Sequence, residues 1–227
     1  MSFSKYLRHR YEKGVIQLAV MLYHHGLSGY KISEILFKKF RIKVSAWTIC
    51  KWFRKFNSDK IRLSYMPRNR YSKIWHADEM YLKAKGRWFY LLVVIDDKNH
   101  ILGLHISPFR NVNSAVVVLK KAKELAGVPE IIVTDGWYGY SRAIKRVFGW
   151  KSGVRHVRAH FKTEIVIHNN KLYLLSNNRI EGWNSWFRHI YRRMRGFKSL
   201  LSMRQFLKTF KMLYNLRDNA WQYLLTL

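Results

Sequence analysis

Only 13 Asp and Glu accompany 43 Lys and Arg in this chain of 227 residues, so the place of each acid is informative. Asp78 lies in a segment of strand character, residues 74–82. Asp135 closes a short apolar run, and Glu181 opens a late helical stretch. Three carboxylates from three neighbouring elements make an all-oxygen ligand set suited to a hard cation, Mg²⁺ or Mn²⁺. Two such ions can activate a water and stabilise the leaving oxygen in phosphoryl transfer. A buried cluster of this kind otherwise repels itself and takes up protons. Glu181 has a second reading. It stands three residues after Asn178, a good N-cap, where a capping-box acid belongs, and the helix dipole favours its charge in either role. Arg188, seven residues later, falls on the same face two turns away, where it can hold a phosphate beside the acid.

The other acids have local explanations. Glu79 follows Asp78 on a strand, so the two side chains point to opposite faces and only one lines a site easily. Asp96 and Asp97 precede a tight turn, where Asp serves local hydrogen bonding. The ten His show no paired spacing with an acid on one helix, which argues against zinc. Cys50 is the only cysteine, so neither an intramolecular disulfide nor a Cys-rich zinc site is possible.

A formal net charge of +30 attracts polyanions, nucleic acid above all. A ribosomal or membrane-surface protein can share that charge but leaves the acids unexplained. No apolar run approaches the roughly 20 residues of a membrane span, and the N-terminus lacks a signal h-region. The expectation is an intracellular protein that meets DNA or RNA, with no membrane.

These side chains need elements to hold them. Residues 1–60 read as three helices. Val15, Leu18, Ala19 and Leu22 face inward on the first, Ser28 caps the second over Ile32, Ile35 and Leu36, and Ser45 caps a third carrying Lys51, Arg54 and Lys55. With 13 basic residues against 3 acids, this segment suggests a helix-turn-helix DNA-binding domain; a plain three-helix bundle with a solvated basic face is the alternative. Residues 61–72 read as part of a polar, basic linker. From residue 73 to 227 the pattern is three strands, a helix, a strand, a helix, a further strand, a hairpin turning at Asn169-Asn170, and terminal helices. That is an α/β domain with a mixed sheet. Trp183 and Trp186 can stack on an unpaired base or pack in a core. Arg192, Arg193, Arg195 and Lys198 form a basic run suited to phosphate contacts.

Four blocks together resemble a known family. They are Trp75-His76-Ala77-Asp78-Glu79, Thr134-Asp135-Gly136 followed by Tyr140, Asn177-Asn178-Arg179-Ile180-Glu181, and Arg195-Gly196-Phe197-Lys198-Ser199. In this order they resemble insertion-sequence transposases with an Asp-Asp-Glu active site, most of all the compact insertion sequence six group with its N-terminal helix-turn-helix. The resemblance spans nearly the whole chain. It implies an RNase H-like mixed-sheet catalytic domain, two divalent metals, and joining of the 3′ ends of an element's terminal inverted repeats to target DNA, by a homodimer or larger assembly. It also implies Asp78 rather than Glu79, with Asp135 and Glu181, as catalytic and metal-holding residues, and Arg188 as the family's basic residue seven positions past the acid. The 45 residues between Asp135 and Glu181 exceed the family's usual gap, and the hairpin around Asn169 accounts for the excess. A nuclease that cuts without joining, and a DNA-binding regulator derived from a transposase, remain as alternatives.

Overall fold

Serine hydroxyls start two of the N-terminal helices. In the computed structural model, which describes residues 11–55, 70–159, 163–194 and 196–216, α1 (Lys13–His24) is followed by α2 (Gly29–Phe40) and α3 (Ala46–Lys55). Ser28 Oγ accepts the Lys31 N–H at 3.2 Å and Ser45 Oγ accepts that of Thr48 at 3.1 Å, satisfying donors that the first helical turns leave open. The inward face of α1 differs from the expected one: Ile16, Ala19, Val20 and Met21 are buried with His24. Apolar residues occupy almost every position from 15 to 22, so periodicity leaves the face undetermined and packing selects it. Most of the expected linker 61–72, Arg195 and the Lys55 side chain lie outside the described residues.

The strands form a five-stranded mixed sheet. β1 (Ile74–Ala84) pairs antiparallel with β2 (Arg87–Asp96), and β2 with β3 (Ile101–Ser107). After α4 (Val112–Ala126), β4 (Ile131–Thr134) adds parallel to β1; after α5 (Tyr138–Phe148), β5 (Arg155–Arg158) adds parallel to β4. The order β3-β2-β1-β4-β5 is that of an RNase H-like core, as the resemblance implied. On one face Trp75, Ala77, Leu92, Val94, Leu102 and Ile132 bury against α4 and α5. On the other, Ile131, Val133 and Val157 meet Val166 and Leu175 from the hairpin of β6 (Glu164–His168) and β7 (Lys171–Leu175). Asn169 and Asn170 both adopt positive φ, the conformation that a two-residue primed hairpin turn requires. Asp96 is buried and accepts the N–H groups of Ser72 (2.9 Å) and His100 (2.7 Å), which fixes the β2–β3 turn.

Two further helices, α6 (Asn178–Arg193) and α7 (Leu200–Leu216), complete the chain. It divides spatially into residues 63–187 and a second unit of 1–62 with 188–227, and α6 runs across the division. Within that second unit α7 packs on α3: Thr209 Oγ1 donates to the Phe53 carbonyl at 3.3 Å, and Phe206 stacks on Phe53 at 5.2 Å. The C-terminal helix therefore clusters with the N-terminal helices and not with the sheet whose sequence it continues. Three short helices bury too little apolar surface by themselves, and α7 enlarges their core.

Gly103 lets α4 approach β3 closely. A Cβ at this position would stand 2.6 Å from the Val118 carbonyl oxygen and 3.0 Å from its Cγ2. Gly103→Ala should therefore destabilise the sheet unit by about 1–3 kcal/mol through overpacking, read as a lower urea midpoint at unchanged slope.

Candidate active site

β1 outruns β4, and the acids gather where it does. The parallel register ends at the pair Ala77–Thr134, so Asp78 and Glu79 project past the last residue of β4 while Asp135 leaves it. Alternation puts Asp78 on the face of Ile131 and Val133, and Glu79 on the face of Trp75 and Ala77. One oxygen from each of Asp78, Glu79 and Asp135 nevertheless lies within 4.8 Å of the others. This corrects the expectation that only one of the adjacent acids can line a site. Beyond the last β1–β4 pair the two faces of the strand are no longer separated on that side. The extra methylene of Glu79 lets it reach round to Asp135.

Each acid has defined partners. Asp78 Oδ1 accepts the Glu79 N–H at 2.8 Å, and Asp78 Oδ2 accepts the Asn184 side-chain amide at 2.8 Å. Arg110 pairs with Glu79 and, at 3.3 Å, with Asp135 Oδ2. Its guanidinium also lies 4.8 Å from the centre of the Trp137 ring. Trp137 in turn donates its backbone N–H to Asp135 Oδ1 at 3.0 Å. The Trp137 ring folds over Gly139, where a Cβ would come within 2.3 Å of it, so Gly139 is required for this arrangement. Tyr140 is fully buried beneath the ring; its hydroxyl lies beside Glu79 without a hydrogen bond of normal geometry.

Burial and mutual repulsion raise the carboxyl pKa values. Burial is the largest cause for Asp78, pushed up to about 6; the Glu79 N–H opposes it, and the charges of Asp135 and Glu181 add to it. Glu79 is pushed up to about 7, by burial first and then by Asp135, with Arg110 opposing. Glu79 Oε2 is buried without a hydrogen-bond partner. An all-oxygen set, a crowded charge and an unsatisfied buried oxygen fit a hard divalent cation.

Glu181 lies on the first turn of α6, exposed and outside the 4.8 Å group, yet its charge acts on Asp78. The helix begins at Asn178, so Asn177 and not Asn178 takes the cap position. The Asn177 carbonyl accepts the Glu181 N–H at 3.1 Å, and its amide reaches Glu181 Oε1 at 3.5 Å. Asn184, three residues after Glu181 on the same helical face, is the residue that touches Asp78. Trp183 is buried and stacked on Phe187 at 5.2 Å, a packing role; Trp186 is partly exposed.

The basic candidates fall into the other unit. Lys51 is exposed, its Nζ 4.8 Å from the Trp47 ring centre, and Arg54 Nε is turned back onto the Cys50 carbonyl at 3.2 Å. Arg54, Arg193 and Lys198 line one cleft of about 870 Å³ together with Trp47, and no carboxylate lines it. Arg188 and Arg192 are exposed on α6. Arg110 and Asn184 were not singled out from the sequence, Glu79 was weighed and set aside, and Tyr140 entered only through the resemblance. For Asn184 a signal existed in its i+3 spacing from Glu181, whereas Arg110 comes from a loop with no periodicity to mark it.

Residues 72–220 match the IS240-type transposase DDE domain. The chain belongs to the DDE transposase family. It is 29% identical to the transposase of insertion sequence-like element IS431mec of Staphylococcus aureus, over 93% of this chain and 88% of that one. The same figures hold for the transposase of IS257 in transposon Tn4003 of Staphylococcus aureus. Among solved structures, the HTLV-2 integrase catalytic core domain in complex with magnesium (dimeric form) is similar at TM-score 0.47 and 16% identity, covering 68% of this chain and 97% of that one. The transposase thus carries out DNA transposition by DDE chemistry, and its acids support a divalent metal. No helix among the described residues is long and apolar enough to cross a membrane.

The raised carboxyl pKa values make metal binding and protonation compete in this transposase. A carboxyl whose pKa is higher folded than unfolded stabilises the fold at low pH and loses that contribution as pH rises through the folded value. Without divalent metal, stability should fall from the ordinary carboxylate range up to about pH 7, following Asp78 and Glu79. Added Mg²⁺ should then raise the melting temperature more at pH 8 than at pH 5.5. An equal rise at both values would separate the cation from these carboxylates.

Proposed function

We propose that Asp78, Asp135 and Glu181 hold Mg²⁺ (or Mn²⁺) and cut the ends of an insertion sequence, whose 3′ ends then attack target DNA. The observation that carries this reading is the hydrogen bond from Asn184 to Asp78, which ties the first turns of α6 to the strand bearing the first acid. That bond supports a reading in which Glu181, one helical turn earlier, lies on the same side of β1 as Asp78. Bound there, the metal supplies activation of the attacking oxygen and neutralises charge on the leaving one.

The residues position that chemistry. The Glu79 N–H and the Asn184 amide each bond one oxygen of Asp78, which fixes its orientation and leaves acceptor capacity on both. The Trp137 N–H does the same for one oxygen of Asp135. Arg110 pairs with Glu79 as it does with Asp135, and in this reading Glu79 serves as a charge partner beside the ligands while Glu181 is the third ligand. Arg188, two turns past Glu181, holds a phosphate of the bound strand. The first three helices act as a helix-turn-helix that reads the terminal inverted repeats with Lys51, Arg54 and Lys55, and Arg192, Arg193, Arg195 and Lys198 add backbone contacts. The transposase works as a homodimer or larger assembly, in the cytoplasm at the nucleoid.

Glu181→Gln and Asp135→Asn should each lower strand transfer at least 100-fold in a folded protein with near-normal DNA affinity, assayed on the DNA that flanks its own gene. Glu79→Gln should keep most activity. The reverse ranking of Glu79 and Glu181 would move the third ligand to Glu79. An active Glu181→Gln protein with inactive Asp135→Asn would leave Glu181 a helix cap.

Affinity should come from the bases. Lys51→Ala and Arg188→Ala should each flatten the log–log salt dependence of DNA binding by about one unit, measured by fluorescence anisotropy. Arg188→Lys should restore part of strand transfer, since a point charge replaces part of a fork. These variants are best made in the full chain, because α7 covers Phe53 of the third helix.

A further inference from the structure

The β6–β7 hairpin is fastened by one face and presents the other. Val166 and Leu175 are buried against Ile131, Val133 and Val157, and Arg155 donates from β5 to the Ile167 carbonyl. On the outward face Ile165 opposes Leu174 and Ile167 opposes Leu172. All four are 66–70% exposed. Four aliphatic side chains in two adjacent cross-strand pairs make an anchored apolar patch of a few hundred Å².

The charge on this ribbon says what can cover it. Residues 164–175 hold one acid, Glu164, and one base, Lys171, and none on the outward face, within a chain of net charge +30. A DNA wedge would need flanking cations to hold the backbone beside the inserted apolar groups, and the outward face provides none. Two copies of a chain this positive repel each other over most of their surface, and a neutral apolar ribbon is where that repulsion is least. The ribbon is also self-complementary: turned about a two-fold axis across the strands, its two aliphatic pairs meet the same two pairs. A standard interface needs roughly 800 Å² on each partner, so four side chains form the apolar centre of such an interface and not its whole extent.

We propose that the outward face of the β6–β7 hairpin is the contact between two copies of the transposase. Its purpose rests on the transposition reading, since joining two element ends needs two active sites; the contact itself rests on the ribbon alone. The hairpin leads by a few residues into α6, so a ribbon contact would bring the second copy near the helix that carries Glu181.

Sedimentation equilibrium of the full chain tests this in 0.5 M NaCl, which screens the net charge and leaves apolar contacts intact. The wild type should form dimers. Ile167→Thr with Leu172→Thr should raise the dimer dissociation constant at least tenfold without lowering the melting temperature, and Ile165→Thr with Leu174→Thr should do the same as an independent pair. In a Cys50→Ser background, Leu172→Cys should cross-link to itself with a bismaleimide. A wild type that stays monomeric, or variants that dimerise as it does, would overturn the proposal. So would variants that dimerise normally but bind DNA more weakly, which would make the ribbon a DNA wedge. Variants that melt lower with unchanged association would mean that the face is covered by the chain's own residues, and equally overturn it. Dimers through the ribbon in a protein that joins no DNA would sink the transposition reading alone.

Discussion

Three like charges within 4.8 Å of one another are the constraint to which the sheet unit is fitted. At that separation each carboxylate pair repels by about 3–4 kcal/mol even at an effective dielectric near 20. The fold meets this in three ways. Arg110 places one cation against Glu79 and Asp135, backbone N–H groups bond Asp78 and Asp135, and protons are retained on Asp78 and Glu79 to higher pH than usual. The acids meet where β4 ends at Thr134, four residues long beside an 11-residue β1. A longer β4 would extend the pairing past Ala77 and keep the two faces of β1 apart.

Charge on this transposase is divided by task. The basic surface supplies affinity for a polyanion and steers its approach, a long-range effect that salt weakens. The acid cluster opposes phosphate at short range unless a cation stands between them. Binding and chemistry therefore draw on different residues, and the salt dependence of the first should be separable from the metal dependence of the second. The cleft lined by Arg54, Arg193 and Lys198 holds no carboxylate and suits the first task in the proposed reading.

Much of this was legible in the sequence because it is local. The Ser28 and Ser45 caps, the hairpin turn at Asn169-Asn170, the order of strands and helices and the turn role of Asp96 all follow from neighbouring residues. The inward face of α1 was not, since its apolar run has no clear period. Glu79 was misplaced by the alternation rule, which describes a strand flanked by neighbours and loses force where β1 outruns β4. The packing of Phe206 and Thr209 on Phe53 joins residues as many as 156 positions apart, and nothing in either segment announces the other. The cap at the start of α6 fell one residue earlier than read, a shift that adjacent asparagines at 177 and 178 make hard to resolve from type alone.

Helix α6 gives the proposed site a stiffness that loops cannot. Glu181 and Asn184 stand three residues apart on one helical face, so the acid and the amide that bonds Asp78 keep a fixed spacing along the helix. Glu181 sits where the helix dipole supports its charge, one turn from the amide that orients Asp78.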